Sequence, residues 1–187
     1  DQEPHLDLED PERGEPERCE RQDAEYGKKT QIEAIGGHFT FEKKRASGFL
    51  ACGFCAIHTV SSSPIAFVGD ESLQKRPMEP LLAALNDLGA ETVSNSGHCP
   101  LSVTGPTRGG ETSVDGTSSQ YLSALLLAAP LAQGDTILNV PFLNEVPYVE
   151  MTLAWLKRQN INLKYNKNYT RFHVIGGQQF KPFNETL

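Results

Sequence analysis

Residues 119–131 constrain the fold more than any other stretch. They read Ser-Gln-Tyr-Leu-Ser-Ala-Leu-Leu-Leu-Ala-Ala-Pro-Leu. Leu122, Leu125, Leu126 and Ala129 line one side of a helix running from about Ser119 to Leu131, and the remaining sides are nearly as apolar. A helix that is apolar all round cannot lie on a surface. It must be enclosed, and in a chain rich in short strands the enclosing layer is a sheet with other helices beside it.

The neighbouring segments supply that layer. Ile65-Ala66-Phe67-Val68 reads as a buried strand closed by Gly69-Asp70. A helix follows from about Met78 to Leu88, with Met78, Leu81, Leu82, Leu85 and Leu88 on one face, Pro80 in its first turn and Gly89 just past its end. Leu101–Thr104 and Glu111–Val114 read as short strands separated by a turn at Thr107–Gly110. Thr136–Val140 is a strand, and Pro147 opens a third helix through about Lys157, with Val149, Leu153 and Leu156 facing inward. Ile161–Tyr165 and Thr170–Ile175 close the pattern as strands. Earlier in the chain, Ile32 and Ile35 share a helical face ended by Gly36-Gly37, and His38–Phe41 alternates as a strand. Glu42–Arg45 reads as a solvated loop, and Ala46–Val60 is small and apolar without a clear period. The expected fold is α/β (α+β), helices packed on small sheets.

Charge divides the chain. Its net charge is −7, yet residues 1–25 hold eleven acids against three bases, a net −8, so the remainder is close to neutral. Residues 1–29 include Pro4, Pro11 and Pro16 and few large apolar side chains, so they are read as a disordered or extended acidic arm ahead of a domain over 30–187. The absence of a basic stripe argues against nucleic acid as a partner. No run of 18 apolar residues is present, so no membrane span is expected, and without an apolar leader the expected location is the cytoplasm.

Three motifs occur in order. The first is Gly69-Asp70-Glu71-Ser72-Leu73-Gln74-Lys75-Arg76-Pro77-Met78, with Pro80–Leu85 and Leu88-Gly89-Ala90 behind it. The second is Gly116-Thr117-Ser118-Ser119-Gln120-Tyr121-Leu122, running on to Ala129-Pro130-Leu131-Ala132. The third is Pro147-Tyr148-Val149-Glu150-Met151-Thr152-Leu153. With Phe172–Gln178 they cover roughly two-thirds of the chain, from about Phe67 onward, and together they resemble the 5-enolpyruvylshikimate-3-phosphate synthase family (3-phosphoshikimate 1-carboxyvinyltransferase). The related UDP-N-acetylglucosamine enolpyruvyl transferases share the fold, but Arg76-Pro77-Met78 with Ser118-Ser119-Gln120 favours the shikimate enzyme. The resemblance implies an enolpyruvyl transferase-like lobe of repeated βαβαββ units. It also implies transfer of the enolpyruvyl group of phosphoenolpyruvate to shikimate 3-phosphate, with no cofactor and no metal.

The residue chemistry agrees with that implication. Ser118 and Ser119 precede a helix, where hydroxyls and free amides attract anions; by resemblance the anion is the 3-phosphate of shikimate 3-phosphate. Gln120 offers both a donor and an acceptor, by resemblance to the shikimate ring. Arg76, held before Pro77, can grip a carboxylate or phosphate bidentately, and by resemblance contacts phosphoenolpyruvate. Tyr148 by resemblance lies against the shikimate phosphate. Singly, each residue has an ordinary explanation: a helix cap for Ser118 and Ser119, a surface residue for Gln120, a loop charge for Arg76, a core ring for Tyr148.

The departures matter too. The family's acidic-Cys-Gly-X-Ser-Gly-Thr loop is matched to Ala51–Thr59, where the Ser-Gly-Thr and a following Arg are missing. Glu145 stands where the family usually has Ser, and a carboxylate there would repel a phosphate. The N-terminal Lys-Ser motif and the second lobe, with its acid/base pair, are also missing. The chain therefore reads as most of one lobe, a damaged repeat before residue 64 and roughly two others. Alone it is expected to have little activity, and it leaves a face for a complementary second-lobe chain or for self-association. Alternatively, it is a non-catalytic binding or assembly module with an acidic interaction tail. Cys52-Gly53-Phe54-Cys55 with His58 and Cys99 offers a zinc set, but no second CxxC supports it, and reduced buried thiols are the plainer reading.

Overall fold

The computed structural model describes residues 32–35, 38–41, 48–68 and 71–182. The chain enters through β1 (Ile32–Ile35) and then builds one topology twice. The first copy is β2 (His38–Phe41), α1 (Gly48–Ile57), β3 (Ile65–Val68), the short α2 (Glu71–Gln74), α3 (Glu79–Asp87), β4 (Glu91–Asn95) and β5 (His98–Thr104). The second is β6 (Gly110–Ser113), α4 (Ser119–Ala128), β7 (Thr136–Asn139), α5 (Val146–Arg158), β8 (Leu163–Tyr165) and β9 (Arg171–Val174).

The two sheets run β1-β2-β3-β5-β4 and β6-β7-β9-β8. In each copy the first two strands are parallel, and the remaining pairings are antiparallel. A parallel pair needs a long crossover, and α1 and α4 supply it. The βαβαββ unit expected from the resemblance is present, but the division differs. Residues 38–104 form one unit that α1 helps to close, so β2 and α1 belong to the first copy and not to a separate repeat that ends before residue 64.

The last helix of each copy stops in the same way. After α3, Gly89 turns to φ +94°, with Gly89 N–H donating to Asn86 and Ala90 N–H to Leu85. After α5, Asn160 takes φ +56°, with its N–H donating to Lys157 and that of Ile161 to Leu156. These paired bonds satisfy the last carbonyls of each helix, and Gly and Asn are the residues that tolerate the left-handed turn.

The core lies between the copies. Helix α4 packs on α1, α3 and α5, and Tyr121, Leu122, Ala124, Leu125, Leu126 and Ala128 are all buried. Strand β5 turns Cys99, Leu101 and Val103 into the same core on alternate residues. Among the described residues no helix is long and apolar enough to cross a membrane.

Two expectations change, and one strand is new. Ile32–Ile35 is a strand, not a helix: Ile35 pairs with His38 in an antiparallel ladder, and the intervening Gly36-Gly37 is a two-residue hairpin signal that outweighs one shared helical spacing. Ala51–Thr59 is not a loop but the body of α1 and the 3-10 turn after it. The strand-to-helix junction of that unit falls at 42–47, outside the described residues. Strand β4 was not legible because it is an edge strand without a buried face, its residues alternating between exposed and half-exposed. The acidic segment 1–29, the Glu42–Arg45 loop and the Gly69-Asp70 closure of β3 also lie outside the described residues.

Candidate functional site

Arg76 is delivered by a short, pinned loop. After α2 its N–H donates to the Leu73 carbonyl at 3.0 Å. The next two residues are fastened: Tyr121 Oη donates to the Pro77 carbonyl at 2.6 Å, and Met78 N–H to the Gly97 carbonyl at 2.7 Å. Met78 itself is fully buried and lies 3.9 Å, sulfur to sulfur, from Cys52. The anchor therefore comes from α4 and the core, and the Arg76 guanidinium is left exposed over the start of α4, donating from Nη1 to Gln120 Oε1 at 3.2 Å.

The start of α4 is organised by its own sequence. Ser118 has extended backbone and caps the helix, its Oγ accepting from Gln120 N–H at 3.4 Å. Upstream, Asp115 Oδ1 accepts from Thr117 N–H at 2.8 Å. Gly116 forms a bridge with Leu143 and accepts from Asn144 N–H at 3.1 Å, so the loop before α4 lies against the loop before α5. A side chain at Gly116 would overlap the Phe142 carbonyl, so the contact requires glycine. The clasp brings Glu145 onto Ser119. Glu145 Oε2 accepts from Ser119 Oγ at 2.7 Å and lies 3.4 Å from Ser119 N.

Of the five residues singled out in the sequence, Arg76 and Gln120 touch, and Ser118 caps the same helix turn. Ser119 is 3% exposed and engaged by Glu145. Tyr148 opens α5 three residues beyond Glu145 with its ring exposed, not in the core. No hydrogen bond among the described residues joins that ring to the other four. Its carbonyl lies 3.1 Å from Thr152 Oγ1, which is 3.0 Å from Ser123 Oγ and ties α5 to α4. Tyr121 was missed, because within an apolar helix its ring reads as core and its hydroxyl reaches a carbonyl 44 residues away.

The thiols belong to the core. Cys52, Cys55 and Cys99 are all buried. Burial pushes the Cys52 thiol up to about 12, against the partial relief of the Arg76 charge, and burial with the neighbouring thiols pushes Cys55 up as well. Among the described residues no group of three His, Cys, Asp or Glu side chains is arranged to hold a metal ion.

A family model described as EPSP synthase (3-phosphoshikimate 1-carboxyvinyltransferase) matches residues 18–186. The chain belongs to the EPSP synthase family. The 3-phosphoshikimate 1-carboxyvinyltransferase of Acetivibrio thermocellus is 47% identical over 124 residues, 65% of this chain and 29% of that protein. That of Archaeoglobus fulgidus is 36% identical over 146 residues, 78% of this chain and 34% of that protein. The solved EPSP synthase of Acinetobacter baumannii superposes with a TM-score of 0.65 at 24% identity, covering 79% of this chain and 32% of its own. The fold is thus that of an EPSP synthase lobe, and the chain spans about three-tenths of the length of the curated relatives it matches.

Proposed function

We propose that these residues form the shikimate 3-phosphate side of an enolpyruvyl transfer site, one that turns over only with a complementary second-lobe chain. The observation that carries this reading is the 3.2 Å contact between Arg76 and Gln120, which joins motifs from the two βαβαββ copies at the N-terminus of a ten-residue helix. In this reading the α4 amides and the Ser118 and Ser119 hydroxyls receive the 3-phosphate, where the helix dipole favours an anion. Gln120 holds the shikimate ring, Tyr148 closes over the phosphate, and Arg76 swings from Gln120 to the anionic end of phosphoenolpyruvate.

Enolpyruvyl transfer moves a proton as well as the three-carbon group, so it needs an acid/base pair and cations around two anions. Arg76 is a cation at this junction, and the Glu145 carboxylate is engaged by Ser119. These 187 residues alone are therefore expected to bind without turnover.

Calorimetric titration of the full chain with shikimate 3-phosphate tests the reading. Weak saturable binding, lost in an Arg76→Ala, Ser119→Ala double variant that still melts cooperatively, is the expected result. Equal heats from the native and double-variant chains would remove these residues from the site.

A further inference from the structure

The contact between Glu145 and Ser119 is not used in the binding arrangement proposed above. Ser119 is buried, and its hydroxyl and amide both point at one carboxylate oxygen, 2.7 and 3.4 Å away. Those two donors are the ones a phosphate oxygen would use at the start of α4. Glu145, by contrast, is exposed, and no ion pair holds it among the described residues. The Gly116–Leu143 bridge and the Asn144–Gly116 hydrogen bond hold the two loops together where it meets Ser119.

We propose that Glu145 is an internal occupant of the Ser119 anion site, a tethered carboxylate that an incoming phosphate monoester must displace, and that it sets which ligands the site accepts. The inference rests on reading Ser119 as a phosphate contact. A tethered group competes at an effective concentration fixed by its loop. Leaving costs Glu145 little, because it leaves into water, but once displaced its charge still lies beside the arriving anion and weakens its binding. A phosphate dianion engages the α4 amides with more charge than a carboxylate and prevails over Glu145. The unphosphorylated shikimate ring brings no charge to that pocket and leaves Glu145 in place. The site thereby discriminates against shikimate by requiring the phosphate to open it.

The test is amide NMR of the full chain, following the Ser119 N–H, with inorganic phosphate and with shikimate 3-phosphate as separate probes. Native protein is compared with Glu145→Ser, Glu145→Gln and the Glu145→Ser, Ser119→Ala pair. Glu145→Ser should bind inorganic phosphate about tenfold more tightly than the native chain, a difference expected from removing one nearby like charge. Glu145→Gln, which keeps the shape and loses the charge, should fall between, and Ser119→Ala should cancel the gain. Equal affinity for inorganic phosphate in native, Ser and Gln forms would overturn the occupant, whatever shikimate 3-phosphate does. Tighter inorganic phosphate binding with no added affinity for shikimate 3-phosphate would keep the occupant and instead remove the shikimate reading.

Discussion

Cys52 and Cys55 sit three residues apart on α1 and face the core. Spacing alone offered part of a zinc set, but metal binding and reactivity both need the thiolate, and burial suppresses it at both positions. In a Cys19→Ser chain, which leaves only these two thiols and Cys99, a disulfide-exchange reagent at pH 8 should therefore modify them only after denaturant is added; rapid labelling of the native chain would contradict their burial. The raised thiols also give a pH signature. The folded state prefers the protonated thiol, so the stabilisation is complete below the ordinary thiol value of 9.0 and is lost as pH rises toward the folded value of about 12 for Cys52. Denaturant midpoints should fall as pH rises above 9, with a shallower fall in Cys52→Ala. At this scale the placing of Ser118, Ser119 and Gln120 at the start of a helix was legible, because it is written in residue type and apolar period over a few positions. The partner of Ser119 was not, because Glu145 is 26 residues away and meets it only through the Gly116 clasp.

Helix α4 is the element on which the rest depends. It is the crossover of the second copy, it packs on three other helices, and its first turn carries the candidate site. Leu122 is wholly buried there, whereas Met151 on α5 is 53% exposed. Leu122→Ala should lower the unfolding free energy by about 2–5 kcal/mol, the usual cost of a large-to-small change in a core. Met151→Ala should change it by less than about 0.5 kcal/mol, as a surface substitution does. Chemical denaturation of both variants checks the contrast, and comparable losses would mean that α5 is covered on its outer side.

Across the whole molecule, the two βαβαββ copies share one helical core, so neither is an independent unit. Cys55 and Ala56 of α1 are buried in the same cluster as Leu122 and Leu125 of α4. Deleting residues 1–63 would remove β1, β2 and α1 and uncover that face. The shortened chain should lose its cooperative thermal transition by circular dichroism. Deleting only 1–29 should leave the transition in place, in keeping with the proposal that the acidic arm is separate from the domain. If the longer deletion melted like the full chain, the division of repeats at residue 64 would be restored.

The sequence by itself determined the enclosed helix α4, the prolines that open α3 and α5, the Gly89 stop after α3, the strands and helices from Ile65 onward other than α2 and β4, and the motifs that resemble the family. These signals are local, set by apolar period, by Pro and Gly at helix ends, and by residue identity over a few positions. Tertiary structure decided the rest. It made Ile32–Ile35 a strand by pairing it with β2, made α1 the crossover of the first copy, and brought Arg76 to Gln120. Pairing and packing are contacts between distant residues, and a one-dimensional pattern carries no distance between them. Glu145 shows the difference most directly: its charge was legible as a departure, but only the closed loops turned that charge toward Ser119.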